Sequence, residues 1–271
     1  MTEEQHQHIE NRIETGYPMT SSICLVAGFK IFKEQFFLFA LYALLIPIIS
    51  LVFSLLGLGL GGLFVWGLVI TPVLSAGLYL GAKQVATGEE LEFRDFFNVI
   101  PKASPIIIAN LLGSLITILI LIPTYFIFEK IGMVEWYQAV ALNPESPPEP
   151  PMMNSIESTT FFLNMIPLIY LQVGFSWAFQ FILFYDANPL NALELSRRLI
   201  NRRWGAQFML LLTFVSIFML ASMAVAPLAA VSLGLANVAT MALFFLLPWV
   251  YCSLYVGFSQ ALAPEVDIED E

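Results

Sequence analysis

Four stretches of this chain, residues 35–82, 103–128, 158–185 and 204–264, contain no Asp, Glu, Lys, Arg or His. Charged residues are only 12% of the sequence and apolar residues 58%, an imbalance that excludes a soluble domain, which could not bury so much apolar surface. Proton pumps and intramembrane proteases mark their spans with ionisable side chains, so the gaps in charge argue against both. No set of acid, base, nucleophile or metal ligands emerges elsewhere, and the chain reads as non-enzymatic, with no cofactor. Histidine is confined to His6 and His8, beside Glu3, Glu4 and Glu10. Such a group has the chemistry to hold a divalent metal, but two histidines in an acidic, disordered tail read as a solvated segment, and no metal site is expected. Cysteine is limited to Cys24 and Cys252. Both fall near the cytoplasmic face or within a span, where ordinary buried or interfacial thiols are expected and a disulfide is not.

What is present is length of apolar chain. The four runs hold 48, 26, 28 and 61 residues, and a bilayer core takes roughly 20 helical residues to cross. The two short runs supply one span each and the long ones two each, with reversals at the Gly57, Gly59, Gly61 and Gly62 cluster and at Gly234 and Asn237. The same glycine run superficially resembles a dinucleotide loop, yet no strand precedes it. Spans are predicted near 36–56, 63–82, 105–128, 161–185, 206–230 and 237–259. With the N-terminus inside, ten basic residues lie on the cytoplasmic side and only Lys130 outside, as the charge rule for membrane loops requires. The expected organisation is an acidic cytoplasmic tail at 1–19, a six-span membrane domain at 20–260 with an outer loop at 129–160, and a second acidic tail at 261–271. The thirty mostly polar residues before the first run do not form a secretory signal peptide. The setting this implies is a bacterial inner membrane, with both termini cytoplasmic.

The second and sixth spans share a pattern at an offset of 176 residues: Pro72, Leu78, Tyr79, Gly81 and Gln84 against Pro248, Leu254, Tyr255, Gly257 and Gln260. This points to an internal hairpin repeat. Each copy carries a pair of small residues four apart, Gly77 with Gly81 and Ser253 with Gly257, the spacing that lets helix backbones approach closely. Amphipathic segments on the cytoplasmic face precede the hairpins, near 20–34 and 189–203, and a third, 91–100, places Phe93, Phe96, Phe97 and Ile100 on one side. In the second, Asn188 is a predicted cap and Pro189 the first helical residue. Glu194 and Arg198 are spaced for an ion pair, while Leu190, Leu193, Ile200 and Trp204 are expected to face acyl chains.

The stretch Tyr185-Asp186-Ala187-Asn188-Pro189-Leu190-Asn191-Ala192-Leu193-Glu194-Leu195-Ser196-Arg197-Arg198, followed by span, turn and span with Pro248 and Tyr255, resembles a group of uncharacterised bacterial six-span membrane proteins. Those are similar to the membrane domain attached to some glycerophosphodiester phosphodiesterases. The likeness extends over most of 20–260 and is specific in the Asp186 to Arg203 region and the last hairpin. It departs from the group in its long outer loop and in Arg202-Arg203-Trp204 ahead of Gly205. It implies the fold and transfers no catalytic residue.

Polar groups inside the spans include Asn110, Asn164, Gln172, Gln180 and Asn237, with several Ser and Thr. Amides can line a polar path, but cross-linking helices is their commoner use. Each span also holds a proline in its interior, Pro47, Pro72, Pro123, Pro167, Pro227 or Pro248, which kinks a helix and is tolerated in membranes without implying motion. The outer-loop run from Asn143 to Pro151 reads as extended and polyproline-like, with Trp136 and Tyr137 at the interface. Arg197, Arg198, Arg202 and Arg203 place four guanidinium groups within seven residues, the strongest candidate for binding anionic lipid headgroups. The leading expectation is a membrane protein that binds such lipids, with a partner protein also envisaged. A transporter or channel using the path Asn110, Asn164, Gln172 and Gln180 comes second, and a lipid enzyme third; nothing points to nucleic acid.

Overall fold

The computed structural model describes residues 1–56, 59–143, 146, 148–228 and 232–262. Among them there is no strand, and six helical stretches are long and apolar enough to cross a membrane: Phe36–Phe53, Trp66–Ala86, Phe93–Lys130, Ser155–Tyr185, Trp204–Val225 and Val238–Leu262. The protein is an all-α multipass membrane protein. Helix is the form that such sequences must take in hydrocarbon, because it satisfies every interior backbone group within its own segment.

Contacts divide the chain into two units, Met1–Leu111 with Val173–Glu271, and Leu112–Gln172. The larger begins with α1 (Glu3–Thr15), α2 (Ser21–Glu34), α3 (Phe36–Leu55) and α4 (Gly59–Val65). A π-helical turn, Trp66–Ile70, leads into α5 (Thr71–Thr87), and a 3-10 segment, Phe93–Lys102, into α6 (Ala103–Lys130). The unit resumes at the end of α8 (Ser155–Gly174) and continues with α9 (Ala178–Tyr185), α10 (Pro189–Asn201), α11 (Trp204–Val225) and α12 (Leu233–Ala242). A second 3-10 turn, Leu243–Leu246, then precedes α13 (Leu247–Leu262). Its core is aromatic, with Phe39, Tyr42, Phe96, Trp177 and Phe181 wholly buried. Tyr42 stacks on Phe96 at 4.4 Å between centroids, and Phe181 meets Phe258 edge-on at 5.1 Å.

Both helices of the sequence repeat deviate from α geometry immediately before their shared proline. Pro72 has no N–H to offer the Leu68 carbonyl four residues back; the turn opens to π, and Asn110 of α6 donates to that carbonyl at 3.1 Å. Pro248 likewise deprives Phe244, and there the chain tightens to 3-10, so that the Leu247 N–H serves the same carbonyl. The fourth span is broken at Phe175–Trp177, between α8 and α9. Ser196 of α10 repairs the break, donating to the Gly174 carbonyl at 2.6 Å and accepting from the Trp177 N–H at 3.1 Å.

The smaller unit consists of the remainder of α6, α7 (Met133–Leu142) and most of α8. Phe128 stacks on Phe161, Lys130 pairs with Glu157 at 3.0 Å, and the Trp136 indole donates to the Pro148 carbonyl at 2.8 Å.

Several expectations are corrected. The reversal before the last span does not fall on Gly234 and Asn237, which are helical; Ser232 accepts from the Leu235 N–H and so starts α12 ahead of both. The glycine turn lies partly outside the described residues, at 57–58, and α4 already begins at Gly59. The outer loop holds a helix, α7, ahead of its proline-rich run; residues 148–154 are neither helix nor strand, and residues 144, 145 and 147 lie outside the described residues. The N-terminal segment is a docked helix, as set out below, and the C-terminal tail from 263 on lies outside the described residues.

Candidate functional site

α1 forms because Thr2 and Gln5 make a reciprocal capping box at its start, with Glu3 and Glu4 favourably placed in the first turn. Ile9 and Ile13, four residues apart on one face, are buried together with Arg12. This docked helix replaces the disordered tail expected here, and both histidines lie on it: the His8 Nε2 is 3.2 Å from the Leu262 carbonyl, and His6 lies 3.9 Å from Glu10.

The helix docks on the arginine cluster. Arg198 meets Glu10 with two parallel hydrogen bonds of 2.7 Å each, so the expected ion pair with Glu194 does not form; Glu194 instead takes Arg197, at 2.9 and 2.7 Å. The fork geometry of guanidinium and carboxylate explains the preference of Arg198 for Glu10. Hydrogen bonds from Arg198 hold the Glu10 carboxyl below its usual range, and those from Arg197 do the same for Glu194. Arg202 and Arg203 are held differently. Each donates its Nε to a main-chain carbonyl of the N-terminal segment, Arg202 to Ile13 and Arg203 to Tyr17, the latter at 2.9 Å. The Tyr17 hydroxyl in turn donates to the Leu199 carbonyl, and burial pushes its pKa up. Carbonyls carry no net charge, and among the described residues no carboxylate pairs with Arg202 or Arg203. Among the described residues, two of the four arginines are thus neutralised and two carry no compensating carboxylate.

α10 starts as the residues predict, with the Asn188 side chain accepting from the Asn191 N–H and Pro189 in the first turn. Its apolar face turns elsewhere: Leu193 and Ile200 are buried in protein and Trp204 begins α11, leaving Leu190 as the exposed member of the expected acyl-facing set. The reason is the packing of this face against α9, organised by the Ser196 bonds. At the third amphipathic segment Phe96 is buried while Ile100 is exposed.

The four amides of the envisaged path are engaged with neighbouring helices, and the Asn237 side chain lies outside the description. Asn110 holds the Leu68 carbonyl, and Gln180, wholly buried, lies 3.5 Å from the Leu254 carbonyl. In the smaller unit Asn164 donates to Ile120 and Thr124, at 2.9 and 2.6 Å, and Gln172 to Thr117 at 2.8 Å. Residues that the sequence did not single out, Ser176 and Gln207, add a partly buried bond of 2.7 Å, Gln207 donating.

The small residues sit where chains come closest. A Cβ on Gly28 of α2 would fall 2.5 Å from the Ser253 backbone, and one on Gly77 would meet the Phe96 carbonyl at 2.6 Å. Gly81 receives the Phe96 ring, and Gly257 lies against Met19, Trp177 and Cys24. Each small-residue pair therefore receives one of the predicted interfacial segments, α2 on α13 and the 3-10 segment on α5. Compared with protein-family models, with curated proteins and with solved structures, the chain matches none of them, so the resemblance to the bacterial six-span group rests on the residues quoted for it.

Proposed function

We propose that this is a non-enzymatic integral membrane protein that binds anionic lipid headgroups at the cytoplasmic face of a bacterial inner membrane, and that Arg202 and Arg203 are the residues that meet the phosphate. The observation that carries the reading is that, among the described residues, no carboxylate compensates their charge. Both are exposed, both are oriented through Nε by neutral carbonyls, and both stand directly before the first turn of α11. A phosphate there also meets the positive end of the helix dipole. Trp204 stacks on Phe208 at 4.9 Å between centroids, an aromatic pair of the kind that anchors at membrane interfaces. The rival transport reading needs the amides to line a path, whereas their bonds tie helices together.

The test is the full-length Arg202→Gln, Arg203→Gln variant, reconstituted in vesicles with anionic lipid. Glutamine can still donate to the Ile13 and Tyr17 carbonyls, so α1 stays docked. At about 1 kcal/mol per basic residue, retention of anionic lipid in native mass spectra should fall about 30-fold. The neutralised pair, changed as Arg197→Gln and Arg198→Gln, should lose much less. Wild-type retention in the Arg202→Gln, Arg203→Gln variant would refute the assignment.

A further inference from the structure

The C-terminal ends of α5 and α13 border a pocket of about 420 Å³, within the size range of small-molecule sites. The internal repeat places it, for Lys83 and Ser259 correspond at the 176-residue offset and both line it. The two helices run in the same direction there. Tyr79 meets Tyr251 with centroids 5.0 Å apart, and one turn further along each helix Lys83 and Tyr255 share the pocket. α9 contributes Phe184 and Tyr185, and α1 contributes Gln5. Interfaces between structural repeats are recurrent ligand sites in membrane proteins.

Among the described residues the lining carries one charge. Lys83 Nζ lies 5.2 Å from the centre of the Phe184 ring, and among the described residues no carboxylate lines the pocket. Phe184 packs against Tyr255 and Phe258 at 5.9 and 6.0 Å between centroids, which fixes an aromatic wall beside the ammonium. The Tyr255 and Ser259 hydroxyls both line the pocket as well. With the Tyr185 hydroxyl, the Gln5 amide and the three N–H groups of Lys83, donors outnumber the two oxygens of a carboxylate and suit the three or more of a phosphate. A bare anion would leave the aromatic wall unused.

From this set we infer that the pocket binds a phosphate carried on an apolar body, with Lys83 as its cation and the aromatic wall receiving the apolar part. The source is either a phospholipid of the surrounding leaflet or a soluble organophosphate. The site shares no residue with the Arg202 and Arg203 pair and does not depend on the reading given to them.

Two probes separate the sources. In one arm, the full chain carrying Arg202→Gln and Arg203→Gln is placed in phosphatidylglycerol nanodiscs, so that lipid held by those arginines is removed, and bound phosphatidylglycerol is counted by native mass spectrometry. In the other, wild type in phosphatidylcholine nanodiscs is titrated calorimetrically with phenyl phosphate. Loss of a charged hydrogen bond weakens binding about tenfold or more, so adding Lys83→Gln should reduce retention or affinity by that factor, and Lys83→Arg should preserve it. Lys83 is exposed, and thermal unfolding should show the variant folded. Phosphatidylglycerol retention that depends on Lys83 identifies a lipid site, and phenyl phosphate binding that depends on it a soluble ligand. Failure of both probes to bind, or binding of either unchanged in Lys83→Gln with no dependence in the other, overturns the inference.

Discussion

Glu10 and Arg198 lie 188 positions apart in the chain and meet with both arms of the guanidinium engaged. Their side chains remain 27% and 37% exposed, so solvent screens the pair and a coupling of about 1 kcal/mol is expected from a double-mutant cycle. The pair also has a pH signature. Bonding to Arg198 lowers the Glu10 pKa below its ordinary 4.5, so the carboxyl of the detached helix takes up a proton before that of the docked one. The stabilisation is therefore fully present above pH 4.5 and is lost as pH falls through the lowered value. Hydrogen-exchange protection factors of α1 amides, corrected for intrinsic rates, should hold steady down to about pH 4.5 and decline as pH falls from there through the lowered value. In Glu10→Gln the decline should vanish, and an unchanged decline would mean that another group controls the docking.

At the scale of elements, spans were legible because charge is absent over long runs, and that is a local property of composition. The docked helix was half legible. Thr2 with Gln5, and Ile9 with Ile13, are visible signals of a capped helix with an apolar stripe, but the surface that receives them is built from α10 and α13, far away in sequence. The same distance hid the choice of Arg198 for Glu10 over Glu194. The break at Phe175–Trp177 has only Gly174 to announce it, because its repair depends on a hydroxyl from another helix. Ser196→Ala removes that hydroxyl from a wholly buried site, stripping one bond from the Gly174 carbonyl and one from the Trp177 N–H. An unsatisfied buried group costs about 1–3 kcal/mol, so the variant should unfold at lower temperature in detergent than wild type. Equal unfolding temperatures would show that the break does not rely on α10.

For the whole molecule the decisive question is on which side of the membrane each loop lies. A six-crossing topology predicts that the loop after α7 and the end of α10 face opposite sides, since the Ser155–Tyr185 stretch separates them in sequence. The ten-to-one partition of basic residues predicts that the α10 side is cytoplasmic. Ser146 and Asn201 are both exposed and serve as reporters when replaced singly by cysteine. Background labelling should be small, because Cys24 and Cys252 are both buried and burial pushes the Cys24 thiol up to about 11, so little reactive thiolate exists at neutral pH. A membrane-impermeant maleimide applied to intact cells should label Ser146→Cys. Asn201→Cys should react only once the membrane has been opened. Equal labelling of the two in intact cells would place them on one face, which an odd number of crossings between them forbids, and the six-span arrangement would then be wrong.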